Sequence, residues 1–278
     1  MDRVARHTVR DDFLHKLSAG RVLIMGILNV TPDSFSDGGQ HNGLAAAIEH
    51  AERMRLEGAD IIDIGGESTR PGAAEVTAEE EWRRVAGILA SLAASSALPL
   101  SIDTYKASVA QKAAEAGAVI INDVWGLTRD PDLADVVAAT GSLVVVTYNR
   151  GEADGSINLR DDMAGFFADT FREADAHAIP REHIILDPGV GFAKTYEQNF
   201  GVLAHLDVLA DTGCPVLVGV SRKSFIGRLT ERPADDRLIG TLAANLASVH
   251  RGASILRVHD VAEHREALTM LEAIEKAR

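Results

Sequence analysis

The stretch Val22-Leu-Ile-Met-Gly-Ile-Leu-Asn-Val-Thr-Pro-Asp-Ser-Phe-Ser-Asp-Gly-Gly39 sets a pattern that the rest of the chain repeats. Residues 22–28 are an unbroken apolar run, and the run stops at a cluster that includes Asn29, Thr31, Pro32, Asp33, Ser34, Ser36, Asp37, Gly38 and Gly39. Such a run, bounded by turn formers, reads as a strand buried on both faces that delivers polar groups to a loop. In a parallel barrel that loop lies on the face that carries the chemistry, and Asn29 is the first side chain past the run.

Outward from this stretch, residues 44–57 place Leu44, Ala47, Ile48, Ala51 and Met54 at helical spacing, and Gly58 follows as a helix stop. Then comes Ala59-Asp-Ile-Ile-Asp-Ile-Gly-Gly66, and the phrase returns as Gly117-Ala-Val-Ile-Ile-Asn-Asp123 and Gly252-Ala-Ser-Ile-Leu-Arg-Val-His-Asp260. Further strands are predicted over 100–102, 143–147, 183–186 and 215–218. Helices are predicted over 78–94, 107–116, 132–139, 161–178, 197–210, 237–250 and 261–276. Eight continuous apolar strands alternating with helices of this size specify an α/β fold, a (β/α)8 TIM barrel. An open doubly wound sheet is the competing arrangement, but no Gly-x-Gly-x-x-Gly turn follows the first strand. Residues 1–20 form a short N-terminal extension that covers the bottom of the barrel, and 21–278 form a single barrel domain.

A chain of 278 residues suffices for one such barrel of roughly 250 residues. With 28 basic against 41 acidic residues the formal charge is -13, which excludes general attraction to nucleic acid or anionic membrane, so any anionic ligand must be held by local cations. The single Cys214 excludes an internal disulfide, fits a reducing compartment and reads as a buried apolar residue. The mixed charges of residues 1–12 do not resemble a signal peptide, and no run approaches the ~20 apolar residues that cross a bilayer. A soluble, cytoplasmic protein is expected.

The polar strand ends form one set. They carry Asn29, Gly65-Gly-Glu-Ser-Thr-Arg-Pro-Gly72, Asp103-Thr104, Asn122-Asp123, Thr147-Tyr-Asn-Arg150, Asp187-Pro-Gly189, Gly219-Val-Ser-Arg-Lys-Ser224 and Arg257-Val-His259. Singly, an Asp or Asn after a strand serves equally as a helix cap or turn former. Converging on one barrel mouth, they share a concave site. Asp103, Asn122 and Asp187 supply acceptors and an amide for the edge of a flat, donor-rich heterocycle. Arg70, Lys223, Arg257 and His259 are cations on separate tips, suited to phosphate or pyrophosphate. Arg222 and Lys223 also read as solvated cations opening a helix, although a cation there opposes the helix dipole. Arg257 and His259 alternate along a strand and so face one side. Asn29 can supply an oxygen to a Mg²⁺ shared with pyrophosphate.

These phrases, in order from residue 22 to the C-terminus, resemble the dihydropteroate synthases of the pterin-binding barrel superfamily. The resemblance is carried by residues 26–39, 63–72, 101–104, 122–123, 187–192, 219–224 and 257–260. It implies a transferase, a homodimer and a sulfonamide target. The reaction it implies joins 6-hydroxymethyl-7,8-dihydropterin diphosphate to p-aminobenzoate, giving 7,8-dihydropteroate and diphosphate in folate biosynthesis. Carried onto this chain, Asp103, Asn122, Asp187 and Lys223 bind the pterin, while Asn29, Arg70, Arg257 and His259 hold diphosphate and Mg²⁺, with Asn29 the metal ligand. Thr69, Phe192 and Ser224 lie near p-aminobenzoate, Gly219 lines the substrate pocket, and Asp103, Lys223 and Arg257 are the catalytic set. The long loops 30–42 and 67–76 are expected to close over the diphosphate. The resemblance departs at the fifth strand: the family has Met-His, two residues and Gly, where this chain has Thr147-Tyr-Asn-Arg-Gly151, so that tip is expected to alter the pterin pocket wall. Two other readings remain at this stage, a catalytically weak or silent pterin-binding paralogue and a methyltetrahydrofolate-dependent methyltransferase. The second has no use for the anion-binding set.

Overall fold

The computed structural model describes residues 3–30, 39–68, 74–95 and 98–277, with the backbone alone at 39–42. The barrel strands are β1 (Leu23–Asn29), β2 (Ile61–Gly65), β3 (Leu100–Asp103), β4 (Ile120–Asp123), β5 (Leu143–Thr147), β6 (Ile184–Asp187), β7 (Leu217–Val218) and β8 (Ile255–Val258). All neighbours pair in parallel in the order β6-β5-β4-β3-β2-β1-β8-β7. A single parallel bridge between Leu186 and Val216 joins the two ends and makes the sheet a ring. The eight strands stand where the apolar runs predict them.

The strands are buried on both faces, which is why they read as continuous rather than alternating runs. Parity sorts their side chains. Leu23, Met25, Ile61, Ile120, Leu143, Val145, Ile185, Leu217 and Ile255 fill the barrel interior. Ile24, Leu28, Ile62, Ile64, Ile102, Val144 and Leu256 face the surrounding helices. Those helices include α2 (Gly39–Leu56), α3 (Ala78–Ser95), α4 (Ala107–Ala116), α5 (Leu133–Thr140), α6 (Leu159–Ala176), α7 (Tyr196–Ala204), α8 (Asp207–Ala210), α9 (Ser224–Thr230), α10 (Leu238–Val249) and α11 (Val261–Lys276). The helix predicted over 197–210 is divided in two, α7 and α8, by a turn that buries Leu206 completely.

Ahead of β1, α1 (Arg3–Ser18) lies under the barrel. Its Phe13 is 1% exposed and joins the interior cluster from below. Arg6 Nη1 donates to the Ala118 carbonyl (3.3 Å) and the Ser142 hydroxyl (3.1 Å), and its Nη2 donates to the Thr140 carbonyl. Arg10 Nη1 donates to the Gly141 carbonyl at 2.8 Å. These bonds satisfy carbonyls at the end of α5 and the starts of β4 and β5.

Candidate active site

Register gathers the polar residues at the other end of the barrel. Asn29 pairs with Gly65, Gly65 with Asp103, Asp103 with Asn122, and Thr147 with Asp187. Parity from the interior residues below them turns Asp103, Asn122, Thr147, Asp187 and Arg257 into the mouth. Asp63 joins them from β2, between the interior-facing Ile61 and Gly65.

Arg257 stands at the centre. Its Nε donates to Asp63 Oδ2 and its Nη2 to Asp103 Oδ2, both at 2.6 Å, while Asn122 Nδ2 donates to the same Asp63 oxygen at 3.1 Å. Asp63 Oδ1 and Asp103 Oδ1 are buried and have no partner among the described residues. Burial pushes the Asp103 carboxyl up to about 7, against the opposing pull of Arg257. Arg257 suffers desolvation too, but Asp63 and Asp103 more than offset it and hold the guanidinium charged.

The opposite wall is built by the turn after β6. Asp187 Oδ1 accepts the Gly189 N–H at 2.6 Å, and burial raises the Asp187 carboxyl against Lys223 and that hydrogen bond. Gly189 must be glycine: its φ is +68°, and a Cβ there would sit 2.0 Å from the Tyr148 carbonyl oxygen. Gly219 lies beside Arg257 and Asp187, since a Cβ on it would meet Arg257 Cβ at 3.8 Å and Asp187 Oδ2 at 3.9 Å. Lys223 Nζ donates to the Val190 carbonyl and lies 4.8 Å from the centre of the Phe192 ring. Burial pulls its ammonium down to about 8, with Asp187 opposing. Ser224, the first residue of α9, is exposed beside it.

The two cationic tips are tied together. His259 Nδ1 is 2.9 Å from Ser221 Oγ, which also accepts the His259 N–H at 3.2 Å. Arg222, at φ +57°, makes a two-point ion pair with Asp260. Asn29 is half-buried at the end of β1, with its Oδ1 3.6 Å from where a Cβ on Gly65 would sit. Thr69 and Arg70 lie outside the described residues, as do residues 31–38 of the loop 30–42 and 69–73 of the loop 67–76.

One expectation about the strand ends needs correction. Tyr148 is not a wall of the pocket: it is 1% exposed, packs edge-on against Phe166 at 5.2 Å and donates its hydroxyl to Asp162 on α6. Parity on β5 leaves Thr147 as the inward residue. Asp123 shapes a turn instead of joining the site, because its two oxygens accept the N–H groups of Trp125 and Leu127. Three functional groups escaped the sequence reading, namely Asp63, Ser221 and Lys194. Lys194 Nζ donates to the carbonyls of Tyr148 (2.7 Å) and Phe192 (3.0 Å), pinning the turn after β6 to the end of β5. A lone carboxylate in the run Ile61-Ile-Asp-Ile64 was the available signal for Asp63.

The geometry finds its match among known proteins. Residues 25–259 match the family model described as pterin binding enzyme. This chain belongs to that family. It is 45% identical to the dihydropteroate synthase of Bacillus subtilis over 254 residues, covering 91% of this chain and 89% of the relative. It superimposes on the Xanthomonas albilineans dihydropteroate synthase solved with 4-aminobenzoic acid with a TM-score of 0.88 at 46% identity, covering 92% and 93% of the two chains. The same enzyme solved with 7,8-dihydropteroate gives a TM-score of 0.85 at 43% identity, covering 92% and 94%.

Proposed function

We propose that this chain condenses 6-hydroxymethyl-7,8-dihydropterin diphosphate with p-aminobenzoate, releasing diphosphate and forming 7,8-dihydropteroate. The observation that carries the assignment to these residues is the buried Asp103 Oδ1, left without a donor among the described residues beside Arg257, with Asp187 and Asn122 as buried acceptors around the same mouth and Lys223 facing them. A pterin edge is rich in N–H donors and presents one carbonyl, which complements carboxylates on one side and an ammonium on the other. Neither a methyltetrahydrofolate-dependent methyltransferase nor a silent paralogue draws support from the relatives, which are synthases, and the methyltransferase leaves Lys223, Arg257 and His259 without an anion.

The reaction proceeds without a protein nucleophile. Asp187, Asn122 and Lys223 hold the ring, and Asp103 stabilises the positive charge that the ring gains as the C–O bond to diphosphate breaks. Arg257 and His259 take up the charge on the departing diphosphate, with Arg70 assigned to the same task. The arylamine nitrogen, positioned beside Phe192, Ser224 and Thr69, then forms the C–N bond. Among the described residues no group of three His, Cys, Asp or Glu side chains is placed to hold a metal. Among the described residues the Asn29 amide oxygen is the ligand assigned to the ion, and it fits Mg²⁺, which retains waters and takes other ligands from substrate phosphates. When bound, the ion would neutralise charge on the leaving group.

A homodimer is proposed from the same resemblance, supported by the outward apolar residues Leu229 (62% exposed) and Ile239 (84% exposed) on α9 and α10. No described helix is long and apolar enough to cross a membrane. A cytoplasmic location is proposed on the strength of the one cysteine, which is free and buried. The test is diphosphate release by purified protein given the pterin diphosphate, Mg²⁺ and p-aminobenzoate, with dihydropteroate identified as product. Product that requires p-aminobenzoate is expected. Tight pterin binding without product would select the silent paralogue.

A further inference from the structure

We infer that Asp63 is a positioning residue that holds Arg257 and Asn122 in place around the pterin site. The inference rests on the synthase reading above and deepens it.

Asp63 is fully buried in a strand whose other side chains are isoleucines and glycine, and a carboxylate in such a place destabilises the fold unless it is paired. Its partners are two residues of the pterin pocket: Oδ2 accepts from Arg257 Nε at 2.6 Å and from Asn122 Nδ2 at 3.1 Å. Asp103 meets Arg257 at a different nitrogen, Nη2. One guanidinium thus bridges two carboxylates through separate nitrogens, so Asp63 holds it at Nε independently of the contact at Nη2. The two carboxylates also differ in position. Asp103 ends its strand at the mouth, whereas Asp63 lies two residues inside the end of β2, beneath Gly65. Substrate therefore competes for Asp103 and not for Asp63.

The contact with Asn122 has a second consequence. An ionised carboxylate only accepts, so the Asn122 amide must turn its NH₂ towards Asp63 and its oxygen the other way. Asp63 thereby presents Asn122 to the pocket as an acceptor for a ring N–H. Without it, Asn122 is free to flip and Arg257 loses its contact at Nε, keeping the single bond to Asp103 at Nη2.

The test is Asp63→Asn, which keeps the size and removes the charge. Calorimetry with 6-hydroxymethylpterin and steady-state kinetics are expected to show pterin affinity reduced roughly ten- to hundredfold and a matching rise in KM for the pterin diphosphate. The KM for p-aminobenzoate should stay within twofold, a split that general damage to the fold would not produce. In an Arg257→Gln, Asn122→Ala background the same substitution should add nothing. Pterin affinity within twofold of wild type, an equal rise in both KM values, or a full additional loss in that background overturns the inference. Should Asp63→Asn fail to fold, a crystal structure of the wild-type protein with 6-hydroxymethylpterin decides. Arg257 Nε and Asn122 Nδ2 must both remain on Asp63 with the ring bound, and loss of either contact overturns it. Wild-type protein that does not bind the pterin would overturn the synthase site itself, whereas wild-type binding with a normal Asp63→Asn overturns only the role given to Asp63.

Discussion

The two ends of the barrel treat buried polar groups in opposite ways. At the bottom, Arg6 is 5% exposed and its donors are matched to the Ala118 and Thr140 carbonyls and the Ser142 hydroxyl. At the top, Asp63 Oδ1 and Asp103 Oδ1 are equally buried and have no described donor, and Asp103 and Lys223 are driven by burial toward neutrality. A buried polar group that is fully bonded stabilises a fold, and one left short of a partner destabilises it until a ligand arrives. The difference sets the two ends apart, bonded donors under the barrel and carboxylate oxygens short of donors at its mouth.

The contrast is broken most severely by Lys223→Ala, which removes the cation facing Asp187. We expect at least a hundredfold loss in kcat/KM for the pterin diphosphate with little loss of stability. Unchanged turnover and affinity would remove Lys223 from the site.

Changing pH probes the same end more gently. The Asp103 value is raised from 3.8 to about 7, so its contribution to stability is present below pH 3.8 and is lost as pH rises through about 7. Lys223 is lowered from 10.5 to about 8, so its contribution is present above pH 10.5 and is lost as pH falls through about 8. On the proposed reading both groups meet the pterin charged, a condition that holds only between these limits. The kcat/KM for the pterin diphosphate should trace a bell with its maximum between about pH 7 and 8, falling about tenfold per unit outside it. A flat profile from pH 6 to 9 would contradict this assignment of charges.

At the bottom the expected effects are on stability alone. Arg6→Ala should lower stability by about 2 kcal/mol and the melting temperature by roughly 5 °C, with both KM values unchanged. A changed pterin KM would show that the two ends are coupled. The smallest effect is expected from Tyr148→Phe, which removes only the hydroxyl bond to Asp162 behind the barrel wall. Stability should fall by about 1 kcal/mol and pterin affinity should stay within twofold, whereas a larger change in affinity would return Tyr148 to the pocket.

The barrel was legible because eight continuous apolar runs require a sheet covered on both faces, and the site was legible because each run ends in polar residues. What escaped did so for local reasons. Asp63 lies inside a strand, and attention to strand ends passes over it, although counting back two from Gly65 puts it on the inner face. Tyr148 was grouped with its neighbours on a polar tip, when parity from Leu143 separates inward Thr147 from outward Tyr148. Ser221 is an ordinary loop serine until the fold brings His259 beside it. Residues 1–20 were expected under the barrel, but which side chain of α1 enters the interior was not legible, since no periodicity singles out Phe13 in a charged segment.

The ring of strands has a seam. β7 has two residues, and among the described residues a single strand bridge, Leu186–Val216, pairs β6 with the last-arriving quarter of the chain. As the polypeptide leaves the ribosome, β1 to β6 can align side by side, but β1 stays an open edge until β8, some 230 residues later, is made. Synthesis thus holds a sticky, half-built sheet in solution until its final stage, and closure waits on the longest-range pairing in the molecule.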